Sequence, residues 1–270
     1  MQYKIVFSDI DGTLLNVNRE LSELTIQEIK KLKNKIPFIL VSARMPAAMK
    51  HLQKELEIED LPLICYNGGL IIVNDEVVSS TEIPLEIVKD IVDFNSETDC
   101  HLSLYHRDEW YVPWFDEWAQ KEERNTKITP EIKANKEVVQ LWEKQNKGAH
   151  KIMAMGAESE IEKIKEYLLE KYQDQLHLYR SKSTYLEIAN KRISKYSAIE
   201  LLLKDVYDLK PEDAIAFGDN YNDVEMLEKI GYGIAVGNAR QEAKDVCNVE
   251  TEKSIEDGVA KSLRNIFPVD

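Results

Sequence analysis

Short apolar runs alternate with amphipathic segments at both ends of the chain, and this alternation constrains the fold more than any other feature. Residues 3–8, 36–41 and 61–66 form short, mainly apolar runs, which are typical of strands buried on both faces of a parallel sheet. Between the first two, Thr25 and Glu28 fit a capping box that begins a helix. The pattern predicts βαβ units and a doubly wound sheet.

The middle of the chain has a different character. Residues 70–73 and 77–80 fit a hairpin, and all four tryptophans lie between residues 84 and 188. This stretch also has a predicted hairpin at 101–113, strands at 150–155, 176–180 and 185–188, and a helix at 158–172. The parallel pattern then resumes, with helices at 195–206, 223–229 and 255–266 and strands at 214–217 and 232–236. We predict an α/β fold, a Rossmann-like doubly wound parallel sheet core at 1–83 and 189–270, with an inserted α+β domain at 84–188.

Composition narrows the classes of partner. The 270 residues include 35 basic and 49 acidic side chains, which give a formal net charge of −14. Such a surface repels nucleic acid and anionic membranes, so an anionic substrate must be attracted by a local positive site. Three scattered cysteines fit a reducing compartment, and the apolar runs are too short to cross a bilayer. We therefore expect a cytoplasmic protein with no nucleic-acid or membrane partner, and leave its oligomeric state open.

Acidic residues follow two of the predicted strands. Asp9 and Asp11 come directly after the first strand, and Asp219 and Asp223 follow the strand at 214–217. One such pair alone is more often a solvated turn. If the strands are neighbours, however, the four carboxylates share one crevice, where each like-charge pair costs roughly 4 kcal/mol at about 4 Å. A hard cation would relieve this repulsion, and Mg²⁺ fits oxygen ligands of this kind.

Two further polar residues could hold a phosphoryl group. Ser42 ends the second predicted strand, and Lys195 begins the helix after the insertion. A strand-end hydroxyl beside backbone N–H groups, together with a compact ammonium charge, can bind phosphate oxygens. Either residue alone is as well explained as an ordinary turn or surface residue. The order of Ser42 and Lys195 along the chain relative to the acidic pairs is what favours the phosphate-binding interpretation.

Taken together, these segments resemble the haloacid dehalogenase superfamily of phosphotransferases. The shared pattern is D-x-D-G-T-L, a strand-end Ser or Thr, a helix-leading Lys and G-D-x-x-N-D, in that order. The insertion resembles the cap of the Cof-type, subfamily IIB, sugar-phosphate phosphatases. The resemblance implies a Mg²⁺-dependent phosphatase that hydrolyses a small phosphorylated metabolite through an aspartyl-phosphate intermediate. The first candidate for this metabolite is a sugar phosphate.

The resemblance also implies a role for each matching residue. Asp9 would be the nucleophile and Asp11 the general acid and base, and the metal ligands would be Asp9, Asp11 (through its backbone carbonyl), Asp219 and Asp223. Phosphate would be bound by Ser42, Lys195 and Asn222, and the rest of the substrate by Arg44 and Asn67. Two positions depart from the family pattern, because Ala43 and Tyr196 stand where glycine is frequent.

Two alternatives stay open at this stage. A phosphomutase of the same superfamily would share the phospho-aspartate step but return the phosphoryl group to a sugar. A non-catalytic phosphate sensor or receiver-like domain would also use an acidic pair and a lysine, although it would need only about half this length. The five histidines show no spacing typical of a metal site.

Overall fold

The computed structural model describes residues 3–268 and contains strands and helices along its whole length. The fourteen strands are β1 (Ile5–Ser8), β2 (Phe38–Val41), β3 (Leu63–Cys65), β4 (Leu70–Val73), β5 (Glu76–Ser80), β6 (His101–His106), β7 (Glu109–Val112), β8 (Glu131–Ile132), β9 (Lys151–Met155), β10 (Leu176–Lys182), β11 (Tyr185–Asn190), β12 (Ala214–Gly218), β13 (Tyr232–Ala235) and β14 (Val249–Glu250) within that range. The ten α-helices described there are α1 (Glu23–Leu32), α2 (Ala47–Leu56), α3 (Leu85–Phe94), α4 (Glu117–Thr126), α5 (Asn135–Gln145), α6 (Glu158–Tyr172), α7 (Lys195–Asp205), α8 (Val224–Lys229), α9 (Gln241–Val246) and α10 (Gly258–Ile266).

These elements form two compact units. The core unit is built from the chain up to residue 44, from residues 49–79 and from residue 194 onward. The cap unit is built from residues 45–48 and 80–193. Each unit has its own sheet and its own hydrophobic core.

The core unit has an eight-stranded sheet in the order β14-β13-β12-β1-β2-β3-β4-β5. The pairs from β14 to β3 are parallel, and β4 pairs antiparallel with β3. Strand β1 therefore lies between β12 and β2, with Ile5 opposite Ala214 and Val6 opposite Phe38. The predicted α/β class and the parallel sheet are confirmed.

Residues from α7 and α8 pack on one face of this sheet. Ile199 and Leu202 of α7 belong to the same buried cluster as Phe7 and Ile39, and all four side chains are nearly or fully inaccessible. Burying a side chain of this size stabilises the fold by about 1.5–3 kcal/mol. The central strands are therefore held rigidly, and the residues that follow them start from fixed positions.

Two element boundaries differ from the sequence prediction for a local reason. The third strand ends at Cys65 rather than 66, because Tyr66 and Asn67 have φ values of 53° and 56° and enter a 3-10 turn. The last helix begins at Gly258 rather than 255, because Asp257 has a φ of 61° after a separate 3-10 turn. Left-handed residues cannot continue a strand or a helix.

The cap unit has a six-stranded sheet in the order β10-β11-β9-β6-β7-β8. Helices α3, α5 and α6 contribute Ile87, Trp142 and Ile164 to a buried cluster with Leu104 and Ile188 of the sheet. The Trp142 indole is fully buried and donates a hydrogen bond to Glu109 at 3.0 Å.

Within residues 3–268, no helix has the length and apolar character needed to cross a membrane.

Two histidines of the cap unit come together despite their unremarkable spacing. His106, His150 and Glu82 have side-chain atoms within 4.8 Å of one another. The His106 Nδ1 lies 3.0 Å from the Gly148 carbonyl oxygen, and Glu82 accepts a hydrogen bond from the Gly148 amide at 2.6 Å. Burial lowers the pKa of His150 to about 3, so this ring is neutral. His106 and Glu82 are thus linked through Gly148, whereas His150 lies beside them and bonds to the Ser80 hydroxyl and the Arg107 amide, and sequence spacing did not reveal this group.

Candidate active site

The predicted site residues meet at the carboxyl edge of the core sheet. Asp9 follows β1, Ser42 follows β2 and Asp219 follows β12. Because β1 lies between the other two strands, these three chain positions are adjacent. Asp223 ends the 3-10 turn that follows β12, and Lys195 is the first residue of α7, after its N-cap Ser194.

Lys195 links two of the carboxylates. Its ammonium group is fully buried and lies 2.5 Å from Asp9 Oδ1 and 2.5 Å from Asp223 Oδ1. The other Asp223 oxygen accepts hydrogen bonds from the backbone N–H groups of Asp219 and Asn220, each at 3.0 Å. Asp223 is therefore fully satisfied and fixes both the lysine and the loop after β12.

Asp9 and Asp219 carry negative charge that the protein compensates only in part. Atoms of Asp9, Asp219 and Asp223 lie within 4.8 Å of one another, and Lys195 is the cation bonded to two of them. Burial raises the pKa of Asp9 well above its usual range, against the lowering effect of Lys195. Burial and the charge of Asp223 raise the pKa of Asp219 to about 6.

One buried oxygen of Asp9 lacks a hydrogen-bond donor. Asp9 Oδ2 has no partner among the residues that the structure describes, although buried carboxylate oxygens are normally satisfied. An unpartnered oxygen beside two further carboxylates fits a hard divalent cation, which prefers oxygen ligands. Asp9, Asp219 and Asp223 therefore have the chemistry required for the Mg²⁺ site that the sequence predicts.

Residues after Asp11 shape the same carboxylate group. The Thr13 hydroxyl donates to Asp219 Oδ1 at 3.0 Å, and the Asn238 amide donates to the Gly12 carbonyl at 2.7 Å. Gly12 has a φ of +88°, and a Cβ atom there would lie 2.4 Å from Asp219 Oδ2. Only glycine allows this close approach. The contacts of Thr13 and Asn238 were not predicted from the sequence.

Asp11 is held by two arginines. Arg44 pairs with both of its oxygens, Nε with Oδ2 and Nη2 with Oδ1, each at 2.7 Å. Arg19 Nη2 reaches the same Oδ1 at 2.7 Å. Burial raises the pKa of Asp11, but hydrogen bonds and charge from Arg44, with the charge of Arg19, outweigh it and lower the pKa. Asp11 is thus an ionised carboxylate.

The remaining predicted residues lie around these groups. The Ser42 hydroxyl accepts a hydrogen bond from the Arg44 amide at 3.2 Å, and the Asn222 side-chain amide donates to Asn67 Oδ1 at 2.9 Å. The Ser42 backbone carbonyl also accepts from the Asn67 amide at 2.9 Å. Asn67 and Asn222, predicted to contact ligand, are therefore already bonded to each other.

The two departures from the expected pattern have different surroundings. Ala43 lies between Ser42 and Arg44, so its methyl group stands in the turn after β2. The Tyr196 ring has the Lys229 ammonium 5.0 Å from its centroid, and its hydroxyl lies 3.5 Å from Glu200. Its ring thus interacts with side chains of α7 and α8.

The geometry agrees with a known family. A family model described as haloacid dehalogenase-like hydrolase matches residues 6–263 of the chain. The chain belongs to the haloacid dehalogenase-like hydrolase family. The motifs that carried the resemblance, D-x-D-G-T-L and G-D-x-x-N-D, are those that place Asp9 and Asp219 at adjacent strand ends.

Relatives of this haloacid dehalogenase-like hydrolase cover nearly its whole length. It is 36% identical to a Haemophilus influenzae protein named only in general terms as a phosphatase, over 99% of this chain and all of the other. It is 29% identical to the 5-amino-6-(5-phospho-D-ribitylamino)uracil phosphatase YitU of Bacillus subtilis, over 97% of each chain. Such relatives confirm the predicted enzyme class, a phosphatase.

Solved structures agree on the fold. A haloacid dehalogenase-like hydrolase from Bacteroides thetaiotaomicron has a TM-score of 0.90 at 26% identity, covering 98% of this chain and 100% of that one. A sugar phosphatase of subclass IIB has a TM-score of 0.81 at 22% identity, covering 97% and 98%. The predicted Cof-type architecture is confirmed.

Proposed function

We propose that this hydrolase is a Mg²⁺-dependent phosphomonoesterase that acts on a small phosphorylated metabolite, a sugar phosphate or a related compound, through an aspartyl phosphate on Asp9. The observation that carries the proposal is the carboxylate group at the strand ends. Asp9 is fixed by Lys195 at one oxygen, and its other oxygen is buried, without a donor, beside Asp219. The names of two relatives, YitU and a phosphoglycolate phosphatase of Methanosarcina acetivorans, agree with a small phosphorylated substrate.

Asp9 is the nucleophile in this proposal. Its carboxylate oxygen forms a bond to phosphorus while the bond between phosphorus and the ester oxygen breaks. Mg²⁺, held by the carboxylates of Asp9, Asp219 and Asp223 and by the Asp11 backbone carbonyl, would neutralise charge on the phosphoryl oxygens. Lys195 stabilises the same charge and keeps Asp9 oriented, because its buried ammonium has no freedom to move away.

Asp11 moves the protons. It protonates the leaving oxygen in the first step and takes a proton from the attacking water in the second, which releases inorganic phosphate and restores Asp9. Arg44 and Arg19 hold it as a carboxylate, the form that accepts the proton from water. To act as the acid it must first take up a proton, so we expect its pairing with these arginines to loosen when substrate enters.

The polar residues around the carboxylates bind the substrate. Ser42 and Asn222 would donate hydrogen bonds to the phosphoryl oxygens, in addition to Lys195. Arg44 and Asn67 would contact the phosphoryl group or its leaving group. Since Asn222 and Asn67 are hydrogen-bonded to each other, ligand binding exchanges this bond for bonds to substrate.

The test is phosphate release from a panel of sugar phosphates, nucleotides, pyridoxal phosphate and phosphoglycolate, with and without Mg²⁺. Asp9→Asn removes the nucleophile, and Asp75→Asn makes the same change at a carboxylate that is 90% exposed. We expect Mg²⁺-dependent release that is lost in Asp9→Asn and retained in Asp75→Asn, with a phosphoryl adduct on Asp9 after an acid quench.

Three other results would contradict the proposal. Turnover that persists in Asp9→Asn would exclude this nucleophile. Dependence on a sugar bisphosphate with little free phosphate would identify a phosphomutase. A long-lived adduct without turnover would identify a phosphate sensor.

A further inference from the structure

A cavity of about 350 Å³ opens beside Asp11, and its lining belongs entirely to the core unit. One wall is the loop from Asp11 to Arg19, and the other is formed by Asn238 and residues 253–255. The Asn238 side chain joins the two walls, because it donates to the Gly12 carbonyl at 2.7 Å and accepts from the Ser254 amide at 2.8 Å. The two walls are therefore held at a fixed spacing.

The lining is positively charged although the chain as a whole is acidic. Its ionisable side chains are Asp11, Arg19 and Lys253. Asp11 is already neutralised by Arg44, which lies outside the lining, so the two remaining cations leave an excess of positive charge. Lys253 is exposed, and no ion pair of its ammonium occurs among the described residues, whereas the adjacent Glu252 pairs with Lys261. In a chain of net charge −14 this local excess of positive charge favours an anion, although the Glu256 carboxylate lies next to Lys253, where it accepts from the Lys253 amide at 3.4 Å.

Apolar side chains at the same cavity complete an amphipathic lining. Val17 is 76% exposed and Ile255 is 55% exposed, one on each wall. Exposed apolar side chains next to two cations suit a small organic anion better than a bare inorganic ion. The volume is large enough for a leaving group of several non-hydrogen atoms.

The reaction direction places the leaving group near this cavity. Asp9 attacks phosphorus from one side, and the departing oxygen leaves opposite to it, where Asp11 must deliver its proton. Asp11 is itself part of the cavity wall. The atoms attached to the departing oxygen therefore begin next to the space that Arg19 and Lys253 line.

We propose that this cavity is a core-unit subsite for the leaving group, in which Lys253 and Arg19 select phosphate esters that carry a second anionic group, a carboxylate or a second phosphate. The proposal rests on the proposed function, because it takes Asp11 as the group that protonates the leaving oxygen. Lys253 determines specificity in it and takes no part in the chemical step. Arg19 has both tasks, since it also bonds to Asp11.

The test compares two esters of similar size, phosphoglycolate and ethyl phosphate, in the full-length protein with Mg²⁺. Lys253→Met removes the charge, Lys253→Glu reverses it, and Lys54→Met makes the matched change at an exposed lysine of α2 outside the cavity. We expect Lys253→Met to lower the ratio of kcat/KM for phosphoglycolate over ethyl phosphate about fivefold, and Lys253→Glu to lower it further. The kcat/KM for ethyl phosphate falls much less in both, because its ethyl group carries no second anion, and Lys54→Met behaves as the parent protein.

A binding measurement separates this inference from the proposed function. Malonate serves as a dianionic probe, titrated calorimetrically into the parent protein and into the Lys253→Met and Lys54→Met variants. A loss of malonate affinity confined to Lys253→Met supports the subsite even if neither ester is hydrolysed, a result that would refute only the proposed function. An unchanged ester ratio in both Lys253 variants, or equal malonate affinity in all three proteins, overturns the subsite.

Discussion

Asp219 makes the stability of the metal-free protein depend on pH in an unusual direction. Its pKa is raised from 3.8 to about 6 by burial and by the charge of Asp223. A group whose pKa is raised on folding contributes stability that is fully present below its unfolded pKa and is lost as pH rises through its folded pKa. Asp219 therefore costs the metal-free protein stability between about pH 4 and pH 7.

The size of this loss follows from the shift. At about 1.4 kcal/mol for each pKa unit, the change from 3.8 to about 6 corresponds to about 3 kcal/mol at neutral pH. The value belongs to the coupled group rather than to Asp219 alone, since the pKa of Asp9 is raised as well. In a chain of this length, about 3 kcal/mol is equivalent to a change in Tm of about 5–10 °C.

Thermal or urea unfolding in the presence of a chelator measures this effect when Asp219→Asn is the comparison. Other carboxylates, such as Asp90 and Asp213, have lowered pKa values, and their contribution to folding stability is lost as pH falls. The dependence of the parent protein's stability on pH therefore combines opposite effects. We expect the variant to match the parent near pH 4 and to be more stable by up to about 3 kcal/mol near pH 7.5. The variant also removes a proposed Mg²⁺ ligand, so Mg²⁺ should stabilise only the parent, by about 2.7 kcal/mol at a hundredfold excess over its Kd. A stability difference that does not change with pH would refute the reasoning.

Three further substitutions test single contacts. Thr13→Val removes the hydroxyl that donates to Asp219, and we expect about fivefold weaker Mg²⁺ activation with an unchanged KM in a metal titration; equal activation would show that the contact does not orient Asp219. Gly12→Ala places a Cβ against Asp219 at a φ of +88°, and should cost about 2 kcal/mol or more in urea unfolding and abolish Mg²⁺ activation. Trp142→Ala empties a fully buried site in the cap unit, and should cost about 3–5 kcal/mol of cap stability by hydrogen exchange or urea unfolding; a loss below 1 kcal/mol would mean that the cluster refills the space.

The parts of the fold that the sequence could predict are those with strong local signals. The apolar runs before Asp9 and before Asp219 mark buried strands, and their pairing places the acids that follow at one sheet edge. The amphipathic pattern from residue 195 onward marks α7 and so places Lys195, and the structure shows that Ser194 caps this helix. These signals depend on a few neighbouring residues, so they can be recognised without knowledge of the tertiary structure.

The parts that could not be predicted depend on how loops close. Arg19 reaches Asp11 because Asn16 bonds back to Glu20 and Arg19 adopts a φ of 60°, and no local pattern specifies this turn. The bond between Asn222 and Asn67 joins positions 155 residues apart in the sequence. Both contacts are consequences of tertiary packing, which decides the side-chain partners after the strands are in place.

The choice of side-chain partners also explains why the pKa values of Asp9 and Asp11, only two residues apart, are shifted in opposite directions. Asp9 shares one ammonium with Asp223 and lies beside Asp219, and its pKa is raised, whereas Asp11 has two guanidinium partners and its pKa is lowered. If all three carboxylates were ionised, one ammonium would leave the Asp9 side with two negative charges, which a divalent cation would neutralise. One carboxylate against two arginines leaves the Asp11 side with one positive charge, which suits a phosphoryl group. The two halves of the site therefore carry opposite charge, and in the proposed function the metal would balance one half and the phosphoryl group of the substrate the other.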